Sequence, residues 1–295
     1  DDDGTSERIV LFNNTEGKAS VKILTLDGEI LYHYYFSGEI IPSSGSLVTG
    51  RFDPSRPKGI FLMTRTSDSI LLQGICPADR DDTLLFNYPI TWFHPENTIR
   101  DLTLPGFFLH DMDGDGKNEV ISGIMAGFRV EPRMLFVYNL VTKELIKTPR
   151  MGACVSITDF ADLDADGLSE ILLHTYAISN NEGKEPLPLD DHSAWLLVFS
   201  PRLENLFPPV RFEGKYTALT SYSLGSGVTS RIVSLYYGKT KEAGAPKLML
   251  FDSKGHLLRK ISVPDHSPGL TYHLVKPDGY EDHIFLTSSN GNLFY

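Results

Sequence analysis

Asp111-Met-Asp113-Gly-Asp115-Gly116-Lys117-Asn-Glu119-Val-Ile and Asp162-Leu-Asp164-Ala-Asp166-Gly167-Leu168-Ser-Glu170-Ile-Leu are two versions of one segment, 51 residues apart. Acidic side chains fall at loop positions 1, 3, 5 and 9, a glycine stands at position 6, and an apolar run follows at once. Carboxylates two residues apart converge on one point only if the backbone folds around it, and Gly116 and Gly167 permit that sharp turn. Hard oxygen ligands gathered this way suit Ca2+, which takes about 6–8 oxygens. The carbonyls of Lys117 and Leu168, at position 7, would each add one. The ligand set read from the sequence is Asp111, Asp113, Asp115, Lys117 and Glu119 for one ion, and Asp162, Asp164, Asp166, Leu168 and Glu170 for a second. A solvated acidic turn without metal is the plainer reading of a single such loop. Two in register, each leading into a β-type run, favour the metal.

The spacing excludes an EF-hand. That loop needs a bidentate Glu at position 12, where this chain has Ser122 and Leu173. The flanks Val120-Ile-Ser-Gly-Ile and Ile171-Leu-Leu-His-Thr-Tyr also read as strands rather than helices. The pattern instead resembles the FG-GAP and VCBS-type repeats of integrin-alpha-like β-propellers. In that family the loop joins the first two strands of a blade and the metal staples the turn. The family's Phe-Gly and Gly-Ala-Pro signatures are loosely echoed in Pro105-Gly-Phe-Phe and Ile121-Ser-Gly-Ile-Met-Ala-Gly127. An integrin-type adhesion role is not implied.

Weaker copies share the phase. They are Asp1-Asp-Asp3-Gly-Thr-Ser-Glu7, Arg51-Phe-Asp53-Pro-Ser55-Arg-Pro-Lys-Gly59, Ser223-Leu-Gly225-Ser-Gly227-Val-Thr-Ser-Arg231 and Lys276-Pro-Asp278-Gly279-Tyr-Glu-Asp-His-Ile284. The anchors Asp3, Ser55, Asp115, Asp166, Gly227 and Gly279 are 51 to 61 residues apart, room for one four-stranded unit and not two. Hairpins recur in the same phase at 23–31, 136–146, 197–207 and 248–258, with turns such as Asp27-Gly28 and Asp252-Ser-Lys-Gly255. No segment longer than about ten residues holds a helical period. The expectation is therefore an all-β single domain over 1–295, a β-propeller of about six blade units with the outer two partial and seven possible in the full protein. A chain that begins inside a loop and ends after a third strand reads as excised from a longer polypeptide. Closure by pairing of the terminal strands is the alternative. Asp1, Asp3 and Glu7 read as a broken calcium loop.

The net charge of −11 owes much to these loops, and hydrophobic content of 41% with 11% aromatics suffices for packing between sheets. No Lys/Arg cluster supplies the basic face that nucleic-acid binding requires. No apolar run approaches the ~20 residues of a membrane span, so membrane association would come only through segments outside this sequence. Cys76 and Cys154 lack any metal spacing and read as structural thiols, with a disulfide as the alternative. Weak calcium loops would stand empty at cytosolic calcium, which favours an extracytoplasmic location: periplasm, cell surface or secreted.

Catalytic motifs are absent: no G-x-S-x-G, no H-E-x-x-H and no phosphate-cradling glycine loop. Ser226 between two glycines reads as a tight turn, and His110 and His174 read as packed or surface histidines on strands. Asp190, Asp191 and His192 close a long loop, 179–192, and form the best constellation outside the acidic loops. Residues 76–106, with Tyr88, Trp92 and Phe93, read as an outer strand with an extended loop and offer a second recognition surface. The resulting functional expectation is a calcium-stabilised binding or sensing module for a protein or glycan ligand, with a structural metal. The alternative is a carbohydrate-active enzyme, a glycosidase or lyase, which would need acids and aromatics clustered on one axial face.

Overall fold

The computed structural model describes residues 6–41, 45–67, 69–77, 81–89, 91–92, 102–126, 130–131, 133–179, 188–225, 227–238, 245–263, 272–276, 283–288 and 293–294. The protein is all-β, with 27 strands and no α-helix among the described residues. None of its helices is long and apolar enough to cross a membrane among those residues. The chain divides into two compact units, Asp1–Asp111 with Asp115–Leu145 and Met112–Gly114 with Ile146–Tyr295.

The first unit is built from antiparallel meanders. Strands β1 (Arg8–Asn13), β2 (Ala19–Leu24) and β3 (Ile30–Tyr35) form one. In the next, β4 (Glu39–Ile40) and β5 (Leu47–Gly50) both pair with β6 (Gly59–Arg65), followed by β7 (Ser69–Cys76) and β8 (Asp81–Pro89). Strand β9 (Thr91–Trp92) leads to a third. There β10 (Leu102–Thr103) and β11 (Phe108–His110) pair with β12 (Glu119–Ala126), β13 (Val130–Glu131) pairs back to β9, and β14 (Arg133–Tyr138) and β15 (Leu145–Lys147) complete the sheet. Within 76–106, residues 81–89, 91–92 and 102–103 are strand.

The period of two in a strand sets the packing. In β6, Ile60 and Leu62 join Val21 and Ile23 of β2 in one core, while Phe61 and Met63 join Val120, Ile124 and Phe136 in another. A strand buried on both faces reads as a continuous apolar run, and all seven residues of β6 are buried. Its last residue, Arg65, is tolerated there because its Nε lies 3.1 Å from Glu39 Oε1.

The second unit repeats the plan. Strands β16 (Cys154–Ala161), β17 (Glu170–Tyr176), β18 (Ser193–Leu196), β19 (Val198–Phe199) and β20 (Val210–Glu213) are followed by β21 (Thr217–Leu224), β22 (Arg231–Gly238), β23 (Lys247–Asp252) and β24 (Leu257–Ser262). Strand β17 pairs with β16, β19 and the start of β21, so two meanders share one sheet in the order β16-β17-β21-β22-β23-β24. Strands β18 and β20 form their own ladder. The final meander is β25 (Tyr272–Val275), β26 (Phe285–Ser288) and β27 (Leu293–Phe294). Alternation again divides the cores: Ile232 packs with Leu172 and Leu219, and Val233 with Leu274 and Leu286. The four hairpins expected from sequence all form. At Leu197–Phe207 the return is a bridge between Phe199 and Asn205. Cys76 and Cys154 are half-buried and form no disulfide with each other.

Candidate metal centres

Each acidic segment joins two neighbouring antiparallel strands. The first runs from β11 to β12 and closes on the pair His110 and Glu119. The second runs from β16 to β17 and closes on Ala161 and Glu170. Burial follows one pattern in both loops: position 1 is half-buried, position 2 buried, positions 3 to 6 exposed, 7 and 8 half-buried, and 9 buried. Met112 and Leu163 at position 2 are 1% and 0% exposed, and Leu163 packs in the core with Leu172, Val198 and Leu219. Their part in the motif was hidden because an apolar residue between two aspartates reads as filler.

The backbone turns through left-handed residues at positions 4 and 6. These are Gly114 (φ 76°) and Gly116 (φ 84°) in the first loop, and Ala165 (φ 65°) and Gly167 (φ 89°) in the second. Position 1 then caps the turn. Asp111 Oδ2 accepts from the Gly116 N–H at 2.9 Å, and Asp162 Oδ2 accepts from the Gly167 N–H at 3.2 Å. Asp162 Oδ1 also accepts from Ala165 N–H at 2.7 Å. Position 5 caps position 7 in both loops, with Asp115 Oδ1 to Lys117 N–H and Asp166 Oδ1 to Leu168 N–H each 2.8 Å.

Among the described residues, two acidic groups could hold a metal ion. Carboxylate oxygens of Asp111, Asp113 and Asp115 lie within 4.8 Å of one another, as do those of Asp162, Asp164 and Glu170. The two differ at position 9. Glu119 Oε1 accepts from Asn139 Nδ2 at 2.9 Å, which holds it to β14's end, and it stands outside the first group. Glu170, 1% exposed, joins the second, with Oε2 accepting from the Leu163 N–H at 2.7 Å. Burial first, then the charges of Asp164, Asp166 and Asp162, push its carboxyl up to about 7 from 4.5. Asp166 is exposed and lies outside the second group. All-oxygen donors whose mutual repulsion a cation would relieve fit a hard divalent ion.

Outside the loops, Asp190, His192 and His174 are held by neighbouring groups. Asp190 Oδ1 accepts from His192 N–H at 2.9 Å, its Oδ2 lies 3.1 Å from Arg211 Nη2, and its carbonyl accepts from Trp195 Nε1 at 2.9 Å. His192 Nδ1 lies 3.1 Å from Ser179 Oγ, and Nε2 is 3.8 Å from buried Asp191 Oδ1. His110 lies on β11, its pKa lowered by burial and opposed by the charge of Asp111. His174 Nδ1 lies 2.7 Å from Thr220 Oγ1. Trp92 pairs through its backbone with Val130. Asp1, Asp3, Phe93, Ser226 and Gly279, and the side chains of Tyr88 and Trp92, lie outside the described residues.

One cluster had no signal in the sequence. Asp159 of β16, Ser223 of β21 and Lys276 after β25 meet, although 117 positions separate the first from the last. Asp159 Oδ2 accepts from Ser223 N–H at 2.9 Å, Ser223 Oγ at 2.6 Å and Lys276 Nζ at 2.9 Å, and Lys276 also donates to Ser223 Oγ at 2.6 Å. With side chains of Asp159 and Lys276 only 15% and 17% exposed, this is a satisfied ion-pair lock across the opening strands of three successive meanders.

No family model matches the chain, and no curated protein matches it. Among solved structures, the rhamnogalacturonan lyase YesW is similar at 13% identity over 99% of this chain, with a TM-score of 0.42. The V. cholerae biofilm matrix protein Bap1 gives 12% over 96% with 0.39, and oligopeptidase B from Leishmania major 13% over 97% with 0.44. The chain spans 60%, 55% and 38% of those three chains. Likeness of this degree carries no argument about activity.

Proposed function

We propose that the chain is a calcium-stabilised β-propeller of the FG-GAP and VCBS type, acting outside the cytoplasm as a binding or sensing module. The observation that carries the reading is the recurrence of one acidic loop, with the same burial and the same left-handed positions, between the first two strands of two meanders. The succession of antiparallel meanders along the chain supports it.

Asp111, Asp113 and Asp115 would hold one Ca2+, and Asp162, Asp164 and Glu170 another, with the remaining carboxylates and the position-7 carbonyls as further donors. The ion supplies charge neutralisation and crosslinks each turn. The chain's own work is to present the oxygens: glycines and Ala165 bend the loop, Met112 and Leu163 anchor it, and position 1 is oriented by the position-6 amide. The ligand surface falls to the loop ending at Asp190–His192 and to the segment around Trp92, for a protein or glycan partner. Titration of chelator-stripped protein with calcium in a calorimeter should give about two sites and a higher melting temperature. No heat and no shift at millimolar calcium would sink the proposal. A melting temperature indifferent to chelation, combined with a calcium-dependent glycan cleavage, would favour the enzyme reading instead.

A further inference from the structure

Four loops occupy the same place in successive meanders. They close on Gly50 and Gly59, His110 and Glu119, Ala161 and Glu170, and Leu224 and Arg231. The first three enclose equal lengths, 51–58, 111–118 and 162–169, so Arg51 stands where Asp111 and Asp162 stand in the acidic loops. The fourth, 225–230, is shorter, and its closing residue Arg231 stands where Glu119 and Glu170 stand. Two loops thus carry carboxylates at these positions, and two carry a guanidinium.

The guanidiniums point into their own loops. Arg231 Nη1 donates to the carbonyls of Thr229 and Ser230, each at 2.9 Å. Arg51 Nη1 donates to the carbonyl of Arg56. The closing position of that loop is Gly59, which carries no carboxylate, and a Cβ there would lie in tight contact, 3.1 Å from the Phe61 ring. A cation in such a turn gathers oxygens that the ladder leaves unmatched. An arginine does the same with a permanent charge and several fixed donors.

Each arginine loop also touches an acidic one. Asn118 N–H donates to the Phe52 carbonyl at 2.7 Å and its Nδ2 to the Arg51 carbonyl at 2.6 Å. Ser230 Oγ donates to the Asp162 carbonyl at 3.3 Å. We infer that Arg51 and Arg231 are resident cations that set the β5–β6 and β21–β22 loops without metal, and that these loops are the fixed abutments against which the two acidic loops dock. The contrast rests on the calcium reading of the acidic loops. The role of the arginines does not.

Hydrogen exchange of the full chain, with calcium and with EDTA, tests this in the wild type, Arg231→Met and Arg51→Met. Chelation should speed exchange in 111–119 and 162–170 and leave 225–231 within about twofold. Arg231→Met should speed 225–231 by about tenfold in both conditions, the factor that one charged hydrogen bond of ~1.4 kcal/mol gives, while the amides of 171–176 stay slow. If that variant does not fold, Arg51→Met should do the same at 51–58. Chelation loosening 225–231 as much as 162–170, or an arginine variant without local effect, would overturn the inference. Acidic loops indifferent to calcium beside a persistent arginine effect would overturn the calcium reading and still support the resident cations.

Discussion

Replacing Glu170 by glutamine should stabilise the metal-free protein and, at the same time, remove the second loop's response to calcium. The carboxyl is 1% exposed, and burial with three neighbouring aspartates raises it from 4.5 to about 7. A folded-state value above the unfolded one means that the native state holds the extra proton. The associated stability is complete below pH 4.5 and is lost as pH rises through 7. At about 1.36 kcal/mol per unit, the shift corresponds to about 3 kcal/mol by pH 8. The amide keeps an oxygen for the Leu163 N–H at 2.7 Å and carries no charge. In EDTA, Glu170→Gln should therefore exceed the wild type by up to about 3 kcal/mol at pH 8, or roughly 5–10 °C in melting temperature. The excess should shrink to nothing near pH 4.5. Reading the difference between the two proteins cancels the titrating groups that do not interact with Glu170. A difference that is negative at pH 8, or flat from pH 4.5 to 8, refutes the argument. So does a variant whose melting temperature gains as much from calcium as the wild type's.

Saturating one site at a hundredfold excess over its dissociation constant adds ~2.7 kcal/mol, so Asp113→Ala should remove about one site's share of the calcium-induced melting shift and leave melting in EDTA nearly unchanged. Ala165→Gly, at φ 65°, should raise the melting temperature by the equivalent of up to about 1 kcal/mol, and Gly167→Ala, at φ 89° with nothing near its Cβ, should lower it by about as much, because only backbone strain differs. Asp159→Asn strands the ammonium of Lys276 beside Ser223 and should cost about 2 kcal/mol in urea unfolding, with or without calcium. Arg211→Ala should loosen the Asp190–His192 segment in hydrogen exchange while leaving the calcium response intact, since the guanidinium is held by Asp190 Oδ2 at 3.1 Å and Ser193 Oγ at 2.8 Å.

The all-β class and the hairpins were legible because they rest on local rules: a period of two and turn residues such as Gly28 and Gly255. The acidic loops were legible for the same reason, since all their donors lie within nine positions. What escaped was set by packing. Nothing in a ligand register shows that Glu119 is claimed by Asn139, or that Ala165 adopts a conformation the first loop assigns to Gly114. The Asp159, Ser223 and Lys276 lock depends on which strands become neighbours, so no window along the chain contains it.

The position-9 glutamates show why a shared motif need not give equal sites. Both begin the second strand of their pair and both are buried, Glu119 at 3% and Glu170 at 1%. A buried carboxylate needs donors or a counter-charge. Glu119 accepts a hydrogen bond from the Asn139 side chain, and the group beside it is made by Asp111, half-buried, with Asp113 and Asp115, exposed. Glu170 has the Leu163 amide and faces three negative neighbours, so its remaining compensation must come from a proton or a cation. A cation bound at the second loop would therefore displace the Glu170 proton below pH 7. Arg231 is a third answer at the equivalent closing position, where the charge is reversed and the loop's own carbonyls become the ligands. One strand-loop-strand frame thus accommodates three electrostatic solutions, and the partners that packing brings to the start of its second strand decide which one a given loop uses.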